Sequence, residues 1–223
     1  MMCQNLTRTF GVGRTAKNTL AEVTCTVWPA ARIAVTGPSG SGKSTLLHVM
    51  AGLESSSSGT VTWPGLDGHP LARPGRIGVV FQGPSLVPAL TVSENVALPM
   101  LLGDTTRSDA AQRSRVALDR LGIGDLATSL PEELSGGQAQ RVAVARVLAA
   151  APRLILADEP TGQLDHQTAA MVLDVMLQTA DELGAALVVS THDPEIAKRL
   201  ATRWTMRDGT LLDLQPVSAS EPR

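Results

Sequence analysis

The nine residues G-P-S-G-S-G-K-S-T, Gly37 to Thr45, have the spacing G-x-x-x-x-G-K-[ST] of a loop that cradles phosphates. An apolar strand-like stretch, R-I-A-V-T, precedes them, and a helical pattern, S-T-L-L-H-V-M-A-G, follows. That is the setting in which this chemistry works. Gly37, Pro38, Ser39, Gly40, Ser41 and Gly42 supply a backbone whose N–H groups can close round two phosphates, Lys43 can reach the outer phosphates, Ser44 completes the motif and offers a hydroxyl to Mg²⁺, and Thr45 follows it. A second feature is L-I-L-A-D-E, an apolar strand ending in two carboxylates. Asp158 at its tip can hold the Mg²⁺ shell. Glu159 is expected to point the other way, because side chains alternate along a strand, and so to face an attacking water as base or orienter.

The stretch L-S-G-G-Q, Leu134 to Gln138, raises a different question. Ser135, Gly136, Gly137 and Gln138 look like the mouth of a helix, offering free N–H groups and a positive dipole end to an anion. An ordinary N-cap accounts for Ser135 but leaves Gly-Gly-Gln without a reason. The chain already has a good phosphate loop, so whose phosphate would this second mouth hold?

These features occur in one order: the phosphate loop, Gln82, L-S-G-G-Q, Asp158-Glu159 and His192 in V-V-S-T-H-D. In that order they resemble the nucleotide-binding domain of the ABC ATPase superfamily, over nearly the whole chain. The resemblance implies an ATP- and Mg²⁺-dependent ATPase working as a head-to-tail dimer of two copies. Two ATP molecules are then sandwiched between the copies, so that Ser135 and Gly137 of each close on the γ-phosphate held by the other. It also implies Gln82 as a sensor of Mg²⁺ and water that links the core to the helical insert, His192 as a switch on the γ-phosphate, and Asp165, in T-G-Q-L-D, as part of a loop that acts across the dimer. Phe10 stands where relatives carry an aromatic that stacks on adenine; the competing reading is a small core phenylalanine. Gln163 departs from the asparagine or alanine expected in that loop.

The finer pattern, V-V-F-Q followed by S-L-V-P-A-L-T-V-S-E-N-V-A-L-P-M-L-L, resembles the lipoprotein-releasing, macrolide-exporter and cell-division branch. That branch implies an exporter or mechanotransmission system whose integral membrane permease is a separate chain. The cassette would sit at the cytoplasmic face of the cell membrane, held there by the permease. An importer subunit, or a soluble ABC ATPase of DNA repair or regulation, is the alternative; residues 83–133 leave no room for a long coiled coil. Leu86, Val87, Pro88 and Leu90 are the expected receiving groove for the permease, the competing reading being packing within the helical insert.

The elements that must position these residues read as an α/β protein. The fold class is a P-loop NTPase core, a mixed sheet flanked by helices, with an antiparallel β subdomain and a helical insert. Strands are expected at L-T-R-T-F, E-V-T-C-T-V-W and R-I-A-V-T in an antiparallel or mixed sheet, at T-V-T-W, and at R-I-G-V-V-F-Q, read as a buried strand. Thr91 to Glu94 fits a capping box before an apolar run, and helices are expected from about Ser108 to Gly122 and after Gly136. The sequence then alternates strand and helix and ends in a hairpin turning at Asp208-Gly209. The chain divides into a core of 1–83 and 151–215, an insert of 84–150, and a tail of 216–223 expected to be disordered.

Composition fits: 223 residues, 43% hydrophobic and 18% charged, suit one globular domain. A net charge of −2 gives no basic field for nucleic acid, which is not an expected partner. The two cysteines suggest neither a disulfide framework nor a metal site, which points to a reducing cytosol. Nothing at the start reads as a signal peptide, and V-A-L-P-M-L-L is too short to span a bilayer.

Overall fold

The structure, a computed structural model, describes residues 1–66, 69 and 75–216. Strands β1 (Met2–Phe10), β2 (Lys17–Thr26) and β4 (Ser58–Thr62) form an antiparallel sheet in the order β2-β1-β4. Strand β3 (Arg32–Thr36) does not join them, contrary to the expectation of one sheet over residues 1–36. It lies inside a six-stranded sheet ordered β5-β6-β7-β3-β8-β9, with β5 (Ile77–Val80), β6 (Leu154–Asp158), β7 (Ala186–Ser190), β8 (Thr202–Arg207) and β9 (Thr210–Pro216). All neighbours in this sheet are parallel except β8 and β9. Those two make the expected hairpin, in which Asp208 and Gly209 both take positive φ, at +49° and +80°. Of the tail expected from Pro216 onward, Pro216 pairs with Thr202, and 217–223 lie outside the described residues.

Pleating divides the core. Ile33, Val35, Leu154, Leu156, Ala186 and Val188 face α1 (Lys43–Met50) and the antiparallel sheet. Their sequence neighbours Ala34, Ile155, Ala157, Leu187 and Val189 face α5 (His166–Leu183), α6 (Pro194–Lys198) and the insert. Both faces of β6 and β7 are therefore buried, which is why these strands are unbroken apolar runs and not alternating ones. Strand β5 differs from its expectation. It is an edge strand, and only Val80 is fully buried. Its Gly78 is required by packing, since a Cβ there would lie 2.4 Å from Val147 Cγ1 of the insert.

The insert comprises α2 (Val92–Leu101), α3 (Arg107–Arg120) and α4 (Gly136–Ala149). Each starts at a hydroxyl N-cap: Thr91, Thr106 and Ser135. Thr91 and Glu94 form the expected capping box, with Thr91 N–H donating to Glu94 Oε2 at 2.8 Å. Asn95, fully buried, accepts from Val87 N–H at 2.8 Å and donates to the carbonyls of Val87, Leu90 and Thr91, so it pins the loop before α2. The short helix α6 had no counterpart in the sequence reading.

Cys3 and Cys25 are buried, free, and directly opposite in the β1–β2 register. The hydrogen bond between them, together with burial, pushes the Cys25 thiol far up. Among the described residues no helix is long and apolar enough to cross a membrane.

Candidate functional site

The C-terminal ends of β3, β6, β7 and β5 lie side by side, and each carries one sequence-predicted feature: the loop from Gly37, Asp158-Glu159, His192 and Gln82. Ligands of open α/β sheets bind at this edge, beyond the carboxyl ends of the strands.

The loop from 37 to 42 is held by its own packing. A Cβ on Gly37 would lie 2.2 Å from Met206 O, and one on Gly42 would lie 2.4 Å from Thr19 O. These two glycines are therefore demanded by close approach to β8 and β2. Gly40 takes φ +76° with open space where a Cβ would be, so it answers to backbone conformation at the exposed crest. Gly209 N–H binds Ser41 O at 3.1 Å, tying the loop to the C-terminal hairpin. Lys43 is buried, and its ammonium donates to Gly37 O at 2.9 Å and Pro38 O at 3.1 Å, curled under the loop it serves. Ser41 is buried with an unpartnered hydroxyl. Ser44 and Thr45 are half-buried in the first turn of α1.

Asp158 and Glu159 hydrogen-bond to different partners, Ser190 and His192. Strand β6 ends at Asp158, and Glu159 takes the left-handed backbone conformation at φ +46°. Glu159 therefore lies beyond the strand, and pleating does not set its aim. Ser190, fully buried at the register position opposite Asp158, organises both residues. Its hydroxyl donates to Asp158 Oδ1, and its carbonyl and hydroxyl oxygens accept from Glu159 N–H, each at 3.1 Å. Glu159 Oε2 lies 2.9 Å from His192 Nδ1. With its proton on Nδ1, the imidazole donates to that carboxylate and leaves Nε2 facing outward. Ser190 was not singled out in the sequence; a lone polar residue closing the apolar run A-L-V-V-S was its only signal.

The helix mouth at Ser135 is a capping box in which Gln138 N–H donates to Ser135 Oγ at 3.2 Å and Ser135 N–H to Gln138 Oε1 at 2.8 Å. A Cβ on Gly136 would lie 3.2 Å from Gln163 Oε1, and one on Gly137 would lie 3.2 Å from Leu164 Cδ2. The capping box accounts for Gln138, and a side chain at either glycine would crowd Gln163 or Leu164. The Ser135 hydroxyl keeps its own proton for another acceptor. Among the described residues no hydrogen bond joins 135–137 to the phosphate loop. Asp165 caps α5, accepting from Thr168 N–H at 2.9 Å and Thr168 Oγ1 at 2.7 Å; these bonds hold its carboxyl below the usual range.

Phe10 closes β1, is 41% exposed and belongs to neither core cluster, so the core reading does not hold. Arg8 stacks on its ring, 4.4 Å from the centroid. In the expected permease groove, Leu86 packs against the core, whereas Val87 and Pro88 are exposed.

A protein-family model described as ABC transporter matches residues 20–162. The chain belongs to the ABC transporter family. The Lipoprotein-releasing system ATP-binding protein LolD of Shewanella sp. (strain MR-4) is 39% identical to this ABC chain over 218 residues, 95% of it and 94% of that protein. An uncharacterized ABC transporter ATP-binding protein of Mycobacterium tuberculosis (strain ATCC 25618 / H37Rv), Rv0986, is 40% identical over 93% of this chain and 87% of its own length. Among solved structures, the ATP-binding cassette MJ0796, in a dimeric post-hydrolysis state bound to ADP and Pi, superposes with a TM-score of 0.91 at 31% identity, covering 98% of this chain and 99% of that one. Fold and family agree, and the ABC chain is an ATPase of the cassette type.

Proposed function

We propose that this chain is the ATP-hydrolysing subunit of a transporter whose permease is a separate membrane protein, of the type served by lipoprotein-releasing systems. One observation carries the two-copy part of the reading: four site loops share one edge of the sheet, while the Ser135 mouth has no hydrogen bond to its own phosphate loop. A second copy, placed head to tail, supplies the missing half. The dimeric MJ0796 structures support this arrangement, and the 39% identity to LolD supports the branch.

In this reading the backbone from Gly37 to Thr45 encloses the phosphates of ATP, and Lys43 leaves its loop carbonyls for phosphate oxygens. Phe10 offers its exposed face to adenine. The donor set suits Mg²⁺, which takes few protein oxygens and completes its shell with phosphate and water. No group of three or more His, Cys, Asp or Glu among the described residues could hold a metal alone. Ser44 and Gln82 would bind the ion with Asp158 in support, and it would draw charge from the β- and γ-phosphates. Glu159 accepts the proton of the attacking water, His192 holds that carboxylate in place and meets the γ-phosphate, and the partner's Ser135 and Gly137 close on the same phosphate. Asp165 and its loop lie at the contact between the copies.

Residues 84–150 act as a movable subdomain against the core of 1–83 and 151–215. Val87 and Pro88 receive the permease at the cytoplasmic face of the membrane. Purifying the tagged chain from detergent-solubilised membranes of its own cells tests the reading. A co-purifying permease with few spans and a large outer domain is the expected result. A soluble partner, or none, would remove the transporter role and leave the ATPase.

A further inference from the structure

Strand β1 ends in two side chains that touch. Arg8 Cζ lies 4.4 Å from the centroid of the Phe10 ring, well within the reach of a cation–π contact. Arg8 therefore covers one face of the ring, and because Phe10 is exposed, the side away from Arg8 is left open. Arg8 is itself held: its Nη2 donates to Glu54 Oε1, and both side chains are partly buried. Glu54 is seated in turn at the far end of α1, where His48 O accepts from Leu53 N–H at 3.0 Å and from Glu54 N–H at 3.3 Å. The same loop runs on along β1. Ser57 Oγ accepts from Thr9 N–H at 3.0 Å, and Ser57 N–H donates to Thr7 O at 2.7 Å.

We propose that Arg8, anchored by Glu54, is a positioning residue for the base of the nucleotide: it fixes the Phe10 ring with its open face outward, ready for adenine to stack. A phenylalanine has no hydroxyl with which to fix its own ring, and an exposed ring at a strand end is otherwise free to move between rotamers. The guanidinium removes that freedom. It also draws on the negative face of the ring from behind, which eases the approach of an electron-rich purine to the other face. One helix then serves both ends of the nucleotide. Lys43 in the first turn of α1 belongs to the phosphate loop, and Glu54 just beyond its last turn holds the base platform. The eight residues of α1 set these ends about 12 Å apart along the axis. The inference rests on the reading of Phe10 as the adenine contact given above.

Titration calorimetry on the full-length chain tests this with two ligands, ADP and inorganic pyrophosphate. Pyrophosphate offers the phosphate loop a diphosphate without a base. Arg8→Gln keeps a polar side chain but loses the cation and its planar stack. It is expected to raise Kd for ADP about fivefold, the scale of one cation–π contact, and to leave Kd for pyrophosphate within about twofold. In a Phe10→Ala background the same substitution should change Kd for ADP by less than about twofold, since the ring it positions is gone. An equal loss on pyrophosphate, or an equal fold loss in both backgrounds, overturns the proposal, because Arg8 would then serve the sheet and not the ring. An unchanged Kd for ADP in Arg8→Gln, alongside weaker ADP binding in Phe10→Ala, overturns it while leaving Phe10 as the adenine contact. Full-strength ADP binding in Phe10→Ala removes that contact and the proposal with it. Should Arg8→Gln lose its thermal transition, Glu54→Gln releases the guanidinium without altering β1. It must weaken ADP by about twofold or more and spare pyrophosphate, and an unchanged Kd for ADP there is equally fatal.

Discussion

Glu159 shows how much of a site residue's aim comes from its neighbours. Its left-handed backbone is stabilised from β7, where Ser190 accepts its N–H, and its carboxylate is stabilised from His192. Glu159→Gln preserves size and a polar contact to His192 but removes the proposed base. ATP binding should persist while hydrolysis falls about 10²- to 10⁴-fold, the usual worth of a positioned proton acceptor. Phosphate release gives the rate, and light scattering should find a stable ATP-bound dimer. A monomer at saturating ATP would defeat the two-copy site. The residue types and their order were legible in the sequence because phosphate-loop chemistry fixes spacing within one turn. The sources of their geometry were not. Gly37 and Gly42 are glycines because Met206 O and Thr19 O crowd them, and Met206 lies more than 160 positions downstream in the chain. No local pattern carries such a contact.

Elements depend on single polar residues in proportion to burial. Asn95 is fully buried and holds four backbone groups of the loop before α2, whereas the Thr91 cap of the same helix is exposed to water. Asn95→Ala should therefore destabilise by about 2–3 kcal/mol, through stranded buried donors and acceptors, and Thr91→Ala by about 1 kcal/mol. Urea denaturation of the two variants compares them directly, and a reversed order would contradict the hub role of Asn95. The caps at Thr91 and Ser135 were visible in sequence, since a hydroxyl three residues before Glu or Gln acts within one helical turn, whereas Thr106, three residues before Asp109, was not read as one. Strand partners were less visible. The apolar run at Ile77–Val80 reads the same whether it lies inside a sheet or at its edge, and only the strand order decides. Likewise β3 looks like the strands before it, yet its burial on both faces belongs to the parallel sheet. The five-residue α6 is too short for a periodic signal.

At the scale of the molecule, the feature with the widest reach is that no hydrogen bond joins the Ser135 mouth to the phosphate loop of the same chain. In the head-to-tail dimer proposed above, each copy would hold halves of two different sites. Lys43→Ala spoils one half, and Ser135→Asp spoils the other, by setting a negative charge against phosphate while retaining a good helix cap. Each variant alone should be inactive. When the two are mixed in equal amounts, about half of the dimers contain one of each chain. Every such dimer has one site with both lesions and one with none, so ATPase activity should return on mixing. Silence from the mixture would place both halves in a single chain. For a cell the consequence is one of inheritance: two alleles broken in different halves rescue one another, and two broken in the same half do not.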